Sequence, residues 1–493
     1  MSLRLVQSDL HERCLRLARL IADQLANQQS ENGDFPQHSF YAKAYAIALW
    51  QNLGDDHYTA KIRAAVNALK AEIQDHRYHR EFIEYALENC PDMNAETRNA
   101  ILRNAPYQSP NVANWHILAM RIRQSGSWRD KLRAKLDWLY TRTRFWRAPV
   151  FMDRPGCFSA QYHVFCAALL TDSPTPAQRK IAAKATDLIA RLCCATTGIP
   201  NLVGRGAGQS FGATTALYAL LKHGYRAEAE AILFRLEQTL LQTETLPLNL
   251  LAPNPLPDNP GPDNPQTPGW YSYNRHYDYL AFTGFWLLRA AIYSSPEPAP
   301  TIRANADFLL IHDTDHYQAR MCLRGKSPYD ITTAPVLITN GHVFLPPSGG
   351  EEDFSSLYGP ASLPLPAFAG QQAWSTFTSG TISDSTAKIT FRLSDHRGQR
   401  DITFNENEIV IHDQVDTDSR SNLHLFRLLV PSGLTFKKPG ENRIDFPDLN
   451  LHLIAEHPLH ITDDGLFAVT GPVRTIFVPN HSTATLRIVW RPS

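Results

Sequence analysis

The spacing of apolar residues changes near residue 300, and this change constrains the fold of the 493-residue chain more than any other feature. Before about residue 293, apolar residues recur every three or four positions, as on one face of an α-helix. Examples are LHERCLRLARLIADQLA, YAKAYAIALWQNL and FGATTALYALLKHG. After it, stretches such as STAKITFRLSD and ATLRIVWRP alternate with a period of two, which is typical of antiparallel strands. We therefore predict a helical domain over residues 1–299 and an all-β domain over residues 300–493.

The order of these segments also limits the architecture. Roughly ten helices in consecutive pairs suggest an α/α toroid, which is an incomplete barrel of helical hairpins, or a helical solenoid. We take the toroid as the prediction. Because no fixed sequence period is present, strict repeats of the TPR or ankyrin type are not expected. Short alternating strands separated by turns predict an antiparallel β-sandwich for the second domain.

Charge and cysteine content exclude several functional classes. Lys plus Arg and Asp plus Glu number 48 each, so the chain has no bulk positive charge for nucleic acid. The seven cysteines match no zinc-ligand spacing and favour reduced core residues. The N-terminal segment carries charges throughout and is typical of an amphipathic helix, not a signal peptide. We expect a cytoplasmic protein as the sequence is written, or a periplasmic or secreted one if a leader has been removed.

Polar and aromatic side chains crowd the start of the last predicted helix, which reads PGWYSYNRHYDYLAFTGFWLLRAA from Pro268 to Ala291. The proline-rich stretch from Pro247 to Pro268 is predicted to be a long loop at the rim of a cleft. Because helix N-termini expose backbone N–H groups and carry partial positive charge, this position suits an anionic ligand such as a carbohydrate acid. The residues predicted to line the cleft here are Trp270, Tyr271, Tyr273, Asn274, Arg275 and His276.

Four helical motifs and one β motif carry a resemblance to a known family. They are NVANWHILAM, CFSAQYHVFCAALL, VGRGAGQSFGATTALYALL, YSYNRHYDY and, in the β domain, SDHRGQRDITFNENEIVIHDQV. In their order and wording they resemble the heparinase II/III-like and alginate-lyase-like polysaccharide lyases, which join an α/α toroid to an antiparallel β-sandwich. The first motif is similar to the family's helix carrying the Asn or His that faces a substrate carboxylate. The second is similar to its tyrosine-bearing helix.

The resemblance implies cleavage of an acidic, uronate-containing polysaccharide or oligosaccharide by β-elimination. That reaction needs a neutralised carboxylate, a base for the C5 proton and an acid for the leaving oxygen. Preorganised hydrogen-bond donors on the carboxylate stabilise the enolate-like transition state. Asn, His, Tyr and Arg side chains suffice for these tasks, so no cofactor is expected to be required.

Candidate residues follow from the motifs. We assign Asn114 and His116 to the substrate carboxylate, Tyr162 to proton transfer as acid or base, and His163 as its partner or the alternative base. Neighbouring residues on a helix point in different directions, so Tyr162 and His163 are not both expected to face the site. Arg205 lies in the glycine-rich GRGAGQ and can clamp a carboxylate with its planar guanidinium.

The complete prediction includes further catalytic and substrate-binding residues. The predicted catalytic residues are Tyr162, His163, His116, Asn114, Arg205 and Tyr273. The predicted substrate-binding residues are Asn111, Gln161, Trp270, Tyr271, Asn274, Arg275, His276, His396 and Arg397. For Tyr162 and His116 the alternative interpretation is a side chain packed in the core of the toroid.

Other interpretations remain open at this point. A glycoside hydrolase needs two carboxylates, for which Asp34, Asp153 and Asp278 are the candidates. A non-catalytic carbohydrate-binding protein needs only the aromatic residues. His312 and His316 in IHDTDHY suggest a structural divalent metal in the β domain, but strand alternation places the neighbouring aspartates on the other face and disfavours it. The expected partner is an acidic saccharide, without nucleic acid or membrane, for a monomer or homodimer.

Overall fold

The computed structural model describes residues 2–72, 79–102, 110–194, 196–243, 245–251, 274–292, 304–326, 330–347, 364–370 and 373–491. Within these ranges there are twelve α-helices, and all of them precede residue 293. They are α1 (Ser2–Gln28), α2 (Ala42–Leu53), α3 (Thr59–Glu72), α4 (Arg80–Glu88), α5 (Ala95–Leu102), α6 (Ala113–Arg123), α7 (Trp128–Arg144), α8 (Ala160–Thr171), α9 (Pro176–Leu192), α10 (Ser210–Lys222), α11 (Arg226–Thr243) and α12 (His276–Ile292).

The helices form two concentric rings. The even-numbered helices pack against one another in the order α2, α4, α6, α8, α10 and α12, and α12 returns to α2. The odd-numbered helices lie outside them. Inner helices are surrounded by protein, so α8 is buried along its whole length and lacks a polar face. The predicted α/α toroid is therefore confirmed, but its inner ring closes through the packing of α12 on α2, where the sequence had suggested an incomplete barrel.

Two features of α12 explain the closure. The carboxylate of Asp278 accepts hydrogen bonds from the backbone N–H groups of Phe40, Tyr41 and Ala42, at 3.0, 2.8 and 2.7 Å, and so caps the start of α2. Further along, a Cβ on Gly284 would lie 2.7 Å from the Leu49 side chain. Glycine at this position lets α12 pack against α2 without a shift of the Leu49 side chain.

The second half of the chain is antiparallel β structure, after a small hairpin of β1 (Trp146–Arg147) and β2 (Val150–Phe151). A four-stranded sheet has the order β3 (Leu309–Asp313), β4 (Gln318–Cys322), β5 (Val336–Thr339) and β6 (His342–Leu345). The remaining strands are β7 (Ala367–Phe368), β8 (Ala373–Ile382), β9 (Thr386–Leu393), β10 (His396–Asn405), β11 (Glu408–Val415), β12 (Leu423–Pro431), β13 (Lys437–Gly440), β14 (Arg443–Phe446), β15 (Leu451–Ala455), β16 (His460–Ala468), β17 (Gly471–Pro479) and β18 (Thr483–Trp490). They form one twelve-stranded sheet in the order β13-β14-β15-β18-β11-β10-β9-β8-β7-β12-β17-β16.

The four-stranded sheet separates two hydrophobic cores. Val336 and Ile338 on β5 pack with the helical core, whereas Leu337 between them packs with the core of the large sheet. This alternation follows from the period of two in a strand. The small sheet thereby forms the layer between the toroid and the rest of the β domain, and the predicted order of an α/α toroid followed by antiparallel β-sandwich structure is confirmed.

Two further observations bear on the predictions. All seven cysteines are buried and none is bonded to another, as expected for reduced core residues. The described helices end at Ile292 and the next strand begins at Leu309, on either side of the predicted boundary at residue 300. None of the helices in the described part of the chain is long and apolar enough to cross a membrane.

Candidate active site

A pocket of about 290 Å³ opens at one end of the inner ring. Its lining comes from every inner helix, always at or near the N-terminal end. Tyr41 and His79 immediately precede α2 and α4, and Asn114 is the second residue of α6. The complete lining is Tyr41, His79, Phe82, Pro110, Val112, Asn114, Trp115, Tyr162, Arg205, Phe211 and Tyr279.

This position has an electrostatic consequence. The N-terminal end of a helix carries partial positive charge and exposes backbone N–H groups. Six such ends converge on the pocket, of which the start of α2 is already capped by the Asp278 carboxylate, and Arg205 adds a positive charge that Asp153 partly neutralises. Among the described residues, no Asp or Glu lines the pocket. The site therefore suits an anionic ligand with apolar faces, since much of the lining is aromatic.

The amide of Asn114 is the polar group in the pocket that most clearly awaits a ligand. The residue is 1% exposed, and neither its Oδ1 nor its Nδ2 has a hydrogen-bond partner among the described residues. A buried amide without partners costs free energy, and such groups in native proteins usually have a reason. Here the amide lines the pocket, where a ligand carboxylate or hydroxyl can satisfy it.

Tyr162 lies in the first turn of α8, whose N-terminus is capped by the Ser159 hydroxyl. The guanidinium carbon of Arg205 lies 4.2 Å from the centre of the Tyr162 ring, which is a cation–π contact. Arg205 also makes a bidentate ion pair with Asp153, with contacts of 2.8 to 3.1 Å. The Asp153 carboxylate thus holds the guanidinium against the tyrosine ring.

The same carboxylate connects the pocket to the β domain. Arg154 lies 3.7 Å from Asp153 through its Nε, and its Nη2 binds both oxygens of Asp330 at 3.0 and 3.1 Å. Asp330 is fully buried between the two domains. The Phe158 backbone N–H also donates to the Arg324 carbonyl at 2.9 Å. The segment before α8 is therefore braced from the β side.

The glycine-rich segment before α10 brings Arg205 to this position. Gly204, Gly206 and Gly208 all have positive φ values, between 75° and 80°, which favour glycine. At Gly206 a Cβ would also lie 2.4 Å from the Gln161 side chain. The Arg205 carbonyl accepts a hydrogen bond of 2.6 Å from Ser159. The loop is thus a tight structure docked on the start of α8.

His163 points away from the pocket. It is fully buried, and its Nδ1 accepts a hydrogen bond of 3.1 Å from the Phe151 N–H. Its Nε2 therefore carries the proton and donates to the Ala185 carbonyl at 3.2 Å. Burial lowers the pKa of the imidazole to about 4. As expected for neighbours on a helix, Tyr162 and His163 do not face the same space.

His116 and Asn111 lie beside the pocket and not in its lining. The His116 ring is 4.8 Å from the Tyr140 ring on α7, and burial is the main cause that lowers the pKa of this histidine. Asn111 accepts a hydrogen bond of 3.3 Å from the Tyr140 hydroxyl through its Oδ1. Both residues support the path by which the chain enters α6.

Gln161 and Asn274 belong to a buried polar network behind the pocket. Gln161 donates to Gln209 at 2.7 Å, and the Tyr279 hydroxyl contacts Asn274 Oδ1 at 3.0 Å and Gln209 Oε1 at 3.3 Å. Since Tyr279 lines the pocket, the network holds its ring in place. His276 is also buried, and burial lowers its pKa to about 4.

The other predicted residues lie elsewhere. Arg275 stacks over the Phe40 ring at 5.3 Å and donates to the Asn274 carbonyl at 2.8 Å. His396 bonds to the Asp416 carbonyl at 3.1 Å, and it lies with Arg397 on β10, outside the pocket lining. Trp270, Tyr271 and Tyr273 are outside the described residues.

The IHDTDHY motif is interrupted by a turn. His312 is on β3, whereas His316 lies in the turn to β4, and Asp313 forms an ion pair with Arg320. Among the described residues, no group of three or more His, Cys, Asp or Glu side chains is placed to hold a metal ion.

The candidate carboxylates of a hydrolase are all engaged. Asp153 pairs with Arg205, Asp278 caps α2, and Asp34 accepts from the Lys43 ammonium at 2.7 Å. No two of them face each other across the pocket, because none of them lines it. A pair of carboxylates flanking a glycosidic bond is therefore missing from the described lining.

Sequence reasoning missed His79 and several aromatic residues of the lining. His79 stacks on Phe40 with 4.3 Å between ring centres and also contacts Trp115 and Phe82. The signal available in the sequence was positional: His79, like Tyr41, immediately precedes an inner helix. Recognising it requires knowing which helices are inner, and periodicity alone does not tell this.

Comparison with known proteins bears on the fold. No protein-family model matches the chain, and no curated protein matches it. A solved structure that resembles it is the Streptomyces coelicolor A3 chondroitin AC lyase in complex with chondroitin sulphate, with a TM-score of 0.51 and 12% identity over 98% of this chain and 80% of that chain. This likeness shows the fold alone, an α/α toroid followed by a domain of antiparallel β structure. It does not single out the heparinase II/III-like or alginate-lyase-like families.

Two further structures are more distant. A tyrosine-to-alanine mutant of the same lyase has a TM-score of 0.48 and 12% identity, over 97% of this chain and 79% of that chain. A 4-alpha-glucanotransferase from Thermococcus litoralis has a TM-score of 0.27 and 9% identity, over 67% of this chain and 49% of that chain.

Proposed function

We propose that the protein is a lyase that cleaves an acidic, uronate-containing polysaccharide or oligosaccharide by β-elimination. The observation that carries this proposal is the buried amide of Asn114, which has no partner among the described residues and shares one pocket with Tyr162 and Arg205. The fold shared with a chondroitin AC lyase supports the same class of substrate, since that structure contains chondroitin sulphate.

In this proposal the amide of Asn114 donates to the uronate carboxylate and stabilises the negative charge that develops when the C5 proton leaves. The pocket's helix N-termini act in the same direction. Arg205 contributes its positive charge from above the Tyr162 ring, where the bonds from its Nε and Nη2 groups to Asp153 hold it.

Tyr162 is the proposed proton-transfer residue. The C5 proton is removed, the electron pair forms the C4–C5 double bond, and the C4–O bond breaks with a proton delivered to the leaving oxygen. Among the described residues, nothing hydrogen-bonds to the Tyr162 hydroxyl, so it is available to the substrate. His79, the histidine of the described lining, is the alternative base.

The hydrolase alternative is not favoured, because the two carboxylates it requires are missing from the lining formed by the described residues. The proposed lyase needs no bound metal or cofactor, since the side chains named above supply the acid, the base and the carboxylate donors. We further propose that the substrate's remaining sugars contact the aromatic residues of the lining, where ring faces stack on sugars.

The test is to incubate the protein with chondroitin sulphate, heparinoids, alginate and bacterial capsular polysaccharides and to record the ultraviolet absorbance of unsaturated uronate. We expect a rise with at least one polymer that Tyr162→Phe and Asn114→Ala abolish. Asn52→Ala is the matched control, because Asn52 lies at the opposite end of α2 and bonds to Ala48 and Asn89. New reducing ends without the absorbance would replace elimination with hydrolysis.

A further inference from the structure

Helix α7 exposes an unusual amount of apolar surface. Of the nine large apolar side chains that are exposed in the described part of the chain, five belong to this one outer helix. They are Trp128 (71% exposed), Leu132 (52%), Leu136 (59%), Leu139 (58%) and Tyr140 (43%). Single exposed apolar residues are ordinary, but a contiguous apolar patch marks an interaction site.

The five side chains form one stripe. At about 100° per residue, they fall within an arc of about 120° on the helix surface. The buried residues Ala134 and Thr141 lie on the opposite side, where α7 packs on α6. The helix thus has two apolar faces, one inside the protein and one in solvent.

Cationic side chains flank the stripe on both sides. The same geometry places three of them along each edge. One edge carries Lys131, Lys135 and Arg142, and the other carries Arg129, Arg133 and Arg144, all of them exposed. The two acids of α7 are already engaged, because Asp130 forms a capping box with Ser127 and Asp137 pairs with Arg123. The exposed face is therefore apolar along its centre and positive along both edges.

We infer that α7 is a membrane-surface helix that binds the headgroup region of an anionic phospholipid bilayer. Such a bilayer offers apolar depth for the leucines and negative charge for the flanking cations, and interfacial helices have this composition. Trp128 and Tyr140 stand at the two ends of the stripe, and their amphipathic rings favour the membrane–water interface. This differs from our expectation of no membrane partner and does not depend on the proposed lyase function.

Other occupants fit the charge pattern less well. A second copy of α7 on the stripe would bring two rows of cations against two rows of cations, which like-charge repulsion opposes. An acidic polysaccharide would neutralise the cations but would leave the three leucines without apolar cover. Only a surface that is anionic and apolar at once complements both features.

The position of the stripe relates the membrane to the pocket. The Tyr140 hydroxyl at one end of the stripe donates to Asn111 at 3.3 Å, and the neighbouring residues Pro110 and Val112 line the pocket. A bilayer that covers the stripe therefore lies beside the pocket mouth, and this closeness to a membrane surface applies to whatever ligand the pocket binds.

The test is co-sedimentation of the full chain with phosphatidylcholine vesicles and with vesicles containing about 30% phosphatidylglycerol. We expect binding to the anionic vesicles alone, weakened at least about tenfold when the salt concentration rises from about 50 to about 500 mM. The variant Leu132→Gln/Leu136→Gln/Leu139→Gln is expected to lose at least about tenfold in affinity. A variant with the charges of one edge reversed, Lys131→Glu/Lys135→Glu/Arg142→Glu, is expected to lose affinity by the same factor.

The matched control is Phe234→Gln/Leu241→Gln on α11, which removes two equally exposed apolar side chains elsewhere on the toroid. It should bind vesicles like the wild type, and circular dichroism should show all variants folded. Equal binding to neutral vesicles, or equal loss in the α11 variant, would overturn the inference. The inference would also be overturned if the protein did not bind vesicles and formed a dimer that dissociates in the leucine variant. That result would identify a second copy of the chain as the partner of the stripe.

Discussion

The Arg205 guanidinium lies over the face of the Tyr162 ring, with 4.2 Å between the guanidinium carbon and the ring centre. Its Nε and Nη2 groups are bonded to the Asp153 carboxylate, which fixes the guanidinium in this position. Arg205 therefore places a fixed charge against the Tyr162 ring. The sequence motif suggested a carboxylate clamp, and the carboxylate that the Nε–Nη2 edge binds in the structure is that of Asp153, 52 residues away.

Tyr162→Phe removes the hydroxyl and keeps the ring under Arg205. We expect elimination to slow by about 10²- to 10⁴-fold, the usual contribution of a proton-transfer group, with little change in KM. Stability should hardly change, since the hydroxyl makes no hydrogen bond to the described residues. Steady-state kinetics and thermal unfolding measure the two effects.

Tyr225→Phe is the control for this change, because the Tyr225 hydroxyl bonds to Asp187 at 3.0 Å far from the pocket. It should lower stability and leave kcat intact. Full activity in Tyr162→Phe would remove Tyr162 from the mechanism.

Asn114→Leu separates function from stability. Activity should fall by about 100-fold or more, because the donor to the uronate carboxylate is lost. The free energy of unfolding should stay constant or rise by about 1 kcal/mol, because an amide without partners among the described residues is replaced by an apolar group. Urea unfolding and kcat/KM provide the measurements.

The same substitution at an amide whose NH2 group is hydrogen-bonded is the comparison. Asn201 donates to the carbonyls of Gly206 and Gln209 at 3.2 and 3.1 Å, so Asn201→Leu should destabilise the protein. If both variants lost similar stability, the view that Asn114 awaits a ligand would be wrong.

Asp153→Asn should reduce both stability and kcat. The carboxylate is buried and neutralises Arg205, with Arg154 close by, so its removal leaves uncompensated charge and costs about 3 kcal/mol or more. Arg205 would no longer be held over Tyr162, and we expect kcat to fall more than KM rises. An unchanged kcat in folded Asp153→Asn would show that this positioning is unimportant.

Asp330→Asn should loosen the β domain from the toroid. It breaks the ion pair with Arg154 and leaves the Arg205–Asp153 pair in place. We expect calorimetric unfolding to separate into two transitions where the wild type shows one, with activity largely kept. A single transition at the wild-type temperature would mean that the other contacts between the domains suffice.

Acidification should destabilise the protein through its buried histidines. Burial lowers the pKa values of His163 and His276 to about 4, below the value of about 6.5 in an unfolded chain. Between these values the unfolded state binds more protons, so stability is full above about pH 6.5 and falls as the pH drops towards about 4.

His163→Gln keeps one acceptor and one donor for Phe151 and Ala185 but does not titrate. It should remove a share of the pH dependence on the order of a few kcal/mol, measured by urea unfolding near pH 7 and near pH 5. If the free energy of unfolding of the variant depended on pH as strongly as that of the wild type, the assignment of this pH dependence to His163 would be wrong.

The sequence motifs located the site, but they did not show which of their residues line the pocket. Asn114, Tyr162 and Arg205 line the pocket, whereas His116, Gln161 and His163 from the same motifs do not. Because α8 is buried on all sides, its apolar pattern does not reveal which face points into the ring. Residues that stand one position apart on such a helix look equivalent until their neighbours are known.

The sequence by itself determined the class of each domain, because the spacing of apolar residues is a local property of the chain. This spacing differs between a helix and a strand. It also pointed to the glycine-rich segment, since the positive φ values at Gly204, Gly206 and Gly208 require residues of that type. The order of inner and outer helices, the pairing of Arg205 with Asp153 and the exposed stripe on α7 were decided only in the tertiary structure. Each depends on which distant segments meet, and contacts between residues far apart in the chain leave no periodic signal.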